Sequence, residues 1–182
     1  MLKKLLPPIL LFPPMLTAVP SAIYQQNYTY NYTYAKNIAK SANKYIGNPY
    51  VWGGNSLTKG LDCSAFVKIL IKSHTGINLP RTAKNQALKT DKYLNISTFN
   101  HLKIGDAVYF KNSEGHIHHV ALVTGFDTDG YPFITHAKGK EFGIVREKIS
   151  KNYVDEFFVG KRFCSSQKKN SKAYRPLLLK NL

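Results

Sequence analysis

Cys63 is the residue whose type and setting in the chain most directly suggest chemistry. It stands between Asp62 and Ser64, where a loop gives way to an apolar run that predicts a helix. A thiol attacks as its thiolate, and the free amides at a helix N-terminus stabilise both that anion and the oxyanion formed by attack on a carbonyl. Asp62 has a residue type that caps helices, so a structural role for it stays open. The second cysteine, Cys164, leaves a disulfide as the alternative use of the thiol.

A thiol nucleophile needs a base within hydrogen-bond reach, and the chain has six histidines. His119 begins an apolar segment that predicts a strand, and His136 lies on the next predicted strand. A turn over 127–130 would pair these two strands, so the two imidazoles can touch and one can orient the other. His119 is therefore the candidate base and His136 the candidate orienting residue.

A metal site is the alternative use of these side chains. His116, His118 and His119 are close in sequence, and His136 and Cys63 would be the further ligands. On a strand, however, His118 faces away from His119, and neither a second cysteine nor a carboxylate lies at ligand spacing nearby. We therefore expect no metal and no other cofactor.

Helical patterns come first along the chain, and strand patterns follow. Apolar spacing predicts helices over 35–45, from Cys63 to a stop at Gly76, and over 82–89. Residues 55–60 predict a loop. Segments rich in β-forming residues predict strands over 106–111, 119–126, 131–137, 143–149 and 156–163. This order indicates an α+β domain with N-terminal helices packed on a central antiparallel β-sheet.

The two ends of the chain differ in composition from its middle. Residues 1–22 carry two lysines, an apolar stretch and then small residues, which predicts a signal peptide and a secreted or periplasmic location. That stretch is shorter than the ~20 residues of a membrane-spanning helix. Residues 23–34 repeat Asn-Tyr-Thr-Tyr and predict a linker or a first edge strand.

The charge of the chain favours anionic partners. The formal net charge is +16, and no acidic residue occurs before Asp62 or after Glu156. The basic tail over 164–182 is a candidate contact for an anionic wall polymer or a membrane surface, and a solvated tail without function is the alternative. No nucleic acid is expected as a partner.

Five segments of the chain resemble, in order, the motifs of the NlpC/P60 family of cell-wall peptidases, which share a papain-like fold. They are PYVWGGNSLTKGLDCSAFV at 49–67, LPRTAKNQ at 79–86, LKIGDAVYF at 102–110, HVALVTG at 119–125 and ITHA at 134–137. Each segment alone is a weak signal, whereas all of them in the family's order are specific. The resemblance implies a papain-like NlpC/P60 catalytic domain over 35–163.

The resemblance also implies a role for each matching residue. Cys63 would be the nucleophile, His119 the general base and His136 the third, orienting member. The backbone amide of Cys63 and the Tyr50 hydroxyl would form the oxyanion hole. The substrate-binding residues implied by the family's pattern are Tyr50, Trp52, Asp62, Ser64 and Arg81.

The activity that follows from the resemblance is peptidoglycan hydrolysis. A cysteine endopeptidase of this kind would cleave the stem peptide, at the bond between D-γ-glutamate and the diamino acid, through a thioester acyl-enzyme. Three alternatives stay open. A papain-like amidase or acyltransferase would use the same side chains on another substrate, and a non-catalytic cationic module would bind the wall without cutting it. A cationic binder of nucleic acid or membrane would act through the basic tail, with a steep dependence on salt.

Overall fold

The computed structural model describes residues 28–90, 93–163 and 165–167. Helix α1 (Tyr32–Lys44) begins ahead of the predicted start at 35, because the Asn31 side chain caps it by accepting a hydrogen bond from the amide of Tyr34. Helix α2 (Cys63–Thr75) begins and ends as predicted, with Asp62 as its N-cap and Gly76 in the left-handed conformation at its C-cap. Helix α3 (Ala83–Leu88) is capped by Thr82.

The sheet that carries the candidate histidines has six strands, all antiparallel to their neighbours. In chain order they are β4 (Leu94–Ile96), β5 (Ala107–Lys111), β6 (Ile117–Phe126), β7 (Pro132–Gly139), β8 (Gly143–Lys148) and β9 (Phe157–Arg162). Their order across the sheet is β4-β9-β5-β6-β7-β8. The five strands expected from the sequence are all present, with slightly different bounds, whereas β4 and the short helix α4 (Lys151–Asp155) were not predicted.

The two faces of the sheet bury different side chains. One face packs against α1, α2 and α3, and its cluster includes Val120, Leu122 and Ala137 from the strands. The other face holds Val108, Phe110 and further apolar residues under α4 and the connecting loops. Helices on one side of an antiparallel sheet make this an α+β fold, as the order of patterns predicted.

The loop that precedes the nucleophile candidate is a small hairpin. Two short strands, β2 (Asn55–Ser56) and β3 (Gly60–Leu61), pair within the segment expected to be a plain loop. Gly60 has φ of +117°, and Val51 packs so closely against it that a side chain would have no room. The hairpin therefore leads directly into Asp62 and α2, and the close contact between Val51 and Gly60 restricts its conformation.

The ends of the described chain pair with each other. Strand β1 (Tyr28–Tyr30) is antiparallel to β10 (Ser165–Gln167), so residues assigned to the linker and to the tail lie side by side. The expected signal peptide at 1–22, most of the tail and Cys164 lie outside the described residues. Across the part of the chain that is described, no helix has the length and hydropathy to cross a membrane.

Candidate active site

Cys63 is the first residue of α2 and lies where that helix packs on β6. Its side chain is a free thiol and is almost completely buried. Burial, together with the charge of Asp62, raises the pKa of the thiol to about 11, while the backbone amides of Val120, Ser64 and Cys63 oppose the rise. The amides at the helix N-terminus therefore lower the pKa of the thiol, as expected, but burial raises it by more. In the free protein the sulfur is protonated at neutral pH.

His119 and His136 lie on the adjacent strands β6 and β7, and their side chains are in direct contact. Nε2 of His119 is 2.6 Å from Nδ1 of His136, and the two rings meet edge to face at 71°. Phe110 and Tyr153 lie alongside His119 with nearly parallel rings. The predicted pairing of the two histidines therefore exists, and aromatic neighbours restrict the orientation of the imidazole rings.

His119 is next in the chain to a residue whose backbone interacts with the Cys63 sulfur. His119 directly precedes Val120, whose backbone amide is among those that favour the Cys63 thiolate. Because Nε2 of His119 is hydrogen-bonded to His136, Nδ1 is the ring nitrogen that is left to accept a proton. The three residues expected to act together thus come from the start of one helix and from two neighbouring strands.

Both imidazoles are neutral at neutral pH. Burial, followed by the charges of His136, His118 and Lys138, lowers the pKa of His119 well below its ordinary value. Burial also lowers the pKa of His136, although the hydrogen bond to Glu147 opposes that effect. A neutral imidazole can accept a proton, so His119 is in the protonation state that a general base requires.

Glu147 is a residue of the site that the sequence did not identify. Its Oε1 is 2.9 Å from Nε2 of His136, and its Oε2 is 2.7 Å from Nζ of Lys138. The pairing of β7 with β8 places Glu147 opposite Ile134, diagonally across from His136. The sequence predicted both strands, but it did not give the register that brings Glu147 next to His136.

The residues around the start of α2 form one hydrogen-bonded network. The guanidinium of Arg81 donates to both carboxylate oxygens of Asp62 at 2.9 and 2.7 Å, to Ser64 Oγ and to the Gly54 carbonyl. Asp62 also accepts from the amides of Gly53 and Ala65. Burial alone would raise the pKa of Asp62, but these bonds outweigh it and lower that pKa. Asp62 is thus an ionised N-cap that Arg81 holds in place.

The other two residues implied by the family's pattern differ in their surroundings. Burial and the nearby Cys63 and Asp62 raise the pKa of Tyr50, which indicates that its hydroxyl lies within electrostatic range of the sulfur. The side chain of Trp52 stands in solvent, with 86% of its surface exposed. Tyr50 is thus influenced by Cys63 and Asp62. Trp52 presents a free aromatic surface next to Gly53, whose amide donates to Asp62.

The side chains considered as metal ligands do not form one group, although His119 and His136 are in contact. His116 is exposed beside Glu114, and His118 lies 3.9 Å from Glu156 at the surface. Among the residues that the structure describes, no group of three or more His, Cys, Asp or Glu side chains has the arrangement to hold a metal ion.

A cysteine at the start of a helix and two hydrogen-bonded histidines on neighbouring antiparallel strands are the side chains that a papain-like thiol hydrolase would use. The NlpC/P60 family profile matches residues 47–163, which include all of these side chains. The chain belongs to the NlpC/P60 family.

Named relatives and solved structures agree with this assignment. The chain is 38% identical over 89 residues to the gamma-DL-glutamyl hydrolase of Bacillus subtilis (48% of this chain, 21% of that protein). It is 32% identical over 122 residues to the bifunctional muramidase/DL-endopeptidase CwlT of the same organism (66% and 35%). An NlpC/P60 family protein from Bacillus cereus superposes with a TM-score of 0.61 at 28% identity, covering 71% of this chain and 40% of that one.

The similarity is confined to one domain of longer proteins. The chain spans less than half the length of these curated relatives. By contrast, it covers 97% of the NlpC/p60 domain of the peptidoglycan hydrolase SagA, with a TM-score of 0.56 and 27% identity. The shared part is therefore the domain that carries the candidate active site.

Proposed function

We propose that this protein is a secreted or periplasmic peptidoglycan hydrolase, a cysteine endopeptidase that cleaves the stem peptide between D-γ-glutamate and the diamino acid. The observation that carries the proposal is the buried Cys63 thiol at the start of α2 together with the hydrogen-bonded pair His119 and His136. The names of the two Bacillus subtilis relatives, a gamma-DL-glutamyl hydrolase and a DL-endopeptidase, support the choice of bond.

The proposed reaction is acyl transfer from the stem peptide to water through Cys63. As the sulfur attacks the carbonyl carbon, its proton passes to Nδ1 of His119, and the carbonyl oxygen becomes an oxyanion. The amide of Cys63 and the Tyr50 hydroxyl are the proposed donors to that oxyanion. His119 then gives the proton to the leaving amine as the C–N bond breaks and a thioester remains. A water molecule, deprotonated by His119, hydrolyses the thioester and restores the thiol.

The proposed substrate-binding residues differ in whether they are already hydrogen-bonded within the protein or are exposed to solvent. Asp62 and Ser64 are bonded to Arg81, so we propose that they shape the cleft and hold the helix start. Arg81 is partly exposed and keeps a surface for a carboxylate of the stem peptide. The exposed Trp52 offers a flat apolar surface to the sugar or peptide portion of the substrate.

Defined muropeptides analysed by mass spectrometry test the proposal. Wild type is expected to release a new amine at the diamino acid, and Cys63→Ala to release none. His119→Gln should abolish cleavage, whereas the matched change His74→Gln should leave it intact, because His74 pairs with Ser41 away from the site. Equal release of the new amine by wild type and by Cys63→Ala would refute the assignment of Cys63 as the nucleophile.

The same experiment separates the alternative functions. A crosslinked substrate that carries both bond types distinguishes this cleavage from that of a DD-endopeptidase, the activity named for an Escherichia coli relative that is 34% identical over 118 residues. An amidase or acyltransferase would give products of different mass. A wall-binding module would bind peptidoglycan equally well with and without Cys63 and would release nothing.

The basic tail supports a separate proposal about anionic surfaces. Residues 168–182 carry five basic residues and no acidic one. We propose that they contact an anionic wall polymer or membrane surface. Truncation after Gln167 keeps the β10 partner of β1 and is expected to preserve cleavage of soluble muropeptides while weakening sedimentation with anionic wall polymer. Unchanged sedimentation at low salt would refute this role.

A further inference from the structure

The two candidate catalytic imidazoles are connected to a carboxylate that the family-based assignment does not include. The contacts run from His119 Nε2 to His136 Nδ1 at 2.6 Å, and from His136 Nε2 to Glu147 Oε1 at 2.9 Å. We propose that Glu147 is a positioning residue that fixes the tautomers of both histidines and stabilises the positive charge that His119 acquires during the reaction. This inference rests on the proposed function.

The direction of each hydrogen bond follows from Glu147. Hydrogen bonds from Lys138 and His136 outweigh the effect of burial and lower the pKa of Glu147, so its carboxylate is ionised and can only accept. Nε2 of His136 must then carry the proton and donate to Glu147. Nδ1 of the neutral His136 is left as an acceptor, so Nε2–H of His119 donates to it. Nδ1 of His119 consequently has a free lone pair, which is the form a base beside the thiol requires.

Glu147 is held rigidly enough for this role. Its second oxygen bonds Lys138 at 2.7 Å, and the Tyr153 hydroxyl donates to Oε1 at 3.4 Å. The same Tyr153 ring packs edge to face on His136 and nearly parallel to His119. A carboxylate fixed in this way can restrict one tautomer, whereas a mobile surface glutamate could not.

The charge of Glu147 matters once His119 is protonated. The imidazolium donates to His136, which donates to the carboxylate, so negative charge lies at the end of an unbroken chain of donors. Lys138 opposes this effect because its positive charge lies beside the same carboxylate. The charged and titratable groups around His119 are His118, His136, Lys138 and Tyr153. Glu147 is linked to it through His136, and Glu156 through His118.

Direct observation of the tautomers tests the inference without altering Glu147. In Cys63→Ala protein, imidazole nitrogen NMR at neutral pH should show both His119 and His136 protonated on Nε2. Protonation of His136 on Nδ1 would overturn the inference. Because this readout needs no turnover, it stands apart from the proposed function, which fails separately if wild type does not cleave muropeptides.

Kinetics of charge variants test the second part. Glu147→Gln keeps the size and an acceptor oxygen, and it should lower kcat about 10-fold with little change in KM, by analogy with other residues that orient a catalytic ligand. The acid limb of kcat/KM should move to lower pH, because the imidazolium loses its stabilising charge. Lys138→Gln should move that limb to higher pH. Opposite shifts from the two variants are not expected from a loss of packing.

Asp127→Asn is the matched control. Asp127 is likewise an acid paired with a lysine, Lys148, but at the turn between β6 and β7. It should leave both kcat and the acid limb at the wild-type values. If Glu147→Gln behaves like this control, or if it and Lys138→Gln shift the acid limb in the same direction, the proposed role of Glu147 is wrong.

Discussion

At neutral pH the Cys63 thiol should react with a small neutral alkylating reagent about 10-fold more slowly than an ordinary cysteine. The pKa of this thiol rises from 9.0 to about 11. The thiolate fraction at pH 7 is therefore about 100-fold smaller, since each unit is a factor of ten. A more basic thiolate is also more nucleophilic, and a rise of two pKa units makes each thiolate about 10-fold more reactive. The two effects together leave the overall rate about 10-fold lower.

The assay is the pH dependence of alkylation by iodoacetamide, followed by mass spectrometry. A Cys164→Ser background leaves Cys63 as the sole thiol, because the chain has two cysteines. The rate should rise tenfold per pH unit through pH 9 without levelling. An inflection below pH 8 would reveal a thiolate–imidazolium pair in the free protein and would refute the argument from burial.

The same shift predicts a loss of stability in alkaline solution. Between pH 9 and 11 the unfolded chain has released the thiol proton while the native state still holds it, so the native state becomes less stable as the pH rises. The shift of two units limits this contribution to about 2.7 kcal/mol. Urea denaturation at pH 7.5 and 10.5 measures it, and Cys63→Ala should remove that part of the pH dependence.

Three further predictions concern the surroundings of the site. Burial lowers the pKa of His136, so the unfolded chain binds a proton that the native state excludes. As the pH drops below about 6.5, the free energy of unfolding should therefore decrease. Urea denaturation measures this decrease, and His136→Gln should make it smaller. Arg81→Met removes the hydrogen bonds to the carboxylate that caps α2, and we expect chemical denaturation to show a loss of about 1–2 kcal/mol, because the guanidinium is partly exposed. In Gly143→Ala the new methyl group would overlap the carbonyl oxygen of Asn48 at a positive φ, so thermal unfolding should show a loss of about 1–3 kcal/mol. Gly139→Ala, which has open space around it, should lose about 1 kcal/mol or less.

The parts of the structure that could be predicted have local causes. Helix α2 has a capping Asp62 before it and Gly76 after it, so its sequence specifies both ends. The contact between His119 and His136 follows from a turn at 127–130, which commits two adjacent strands to antiparallel pairing. These features were accessible because each depends on residues close together in the chain.

The parts that could not be predicted depend on tertiary structure. The raised pKa of Cys63 comes from burial under packed helices, which no local pattern reports. The role of Glu147 requires the register between β7 and β8 to be known within one residue, because a slip by one would turn its side chain to the other face. The link between Arg81 and Asp62 joins residues 19 positions apart, and only the folded chain shows that one guanidinium serves both the cap and the hairpin loop.

The pairing of β1 with β10 brings the two ends of the described chain to within one strand spacing, about 4.8 Å. A domain whose two ends are neighbours can be inserted into a loop of another protein, because the inserted chain would start and finish at almost the same place. For the same reason a short peptide bridge would suffice to join 28 to 167 and produce a circular permutant that keeps the active-site helix and the sheet intact.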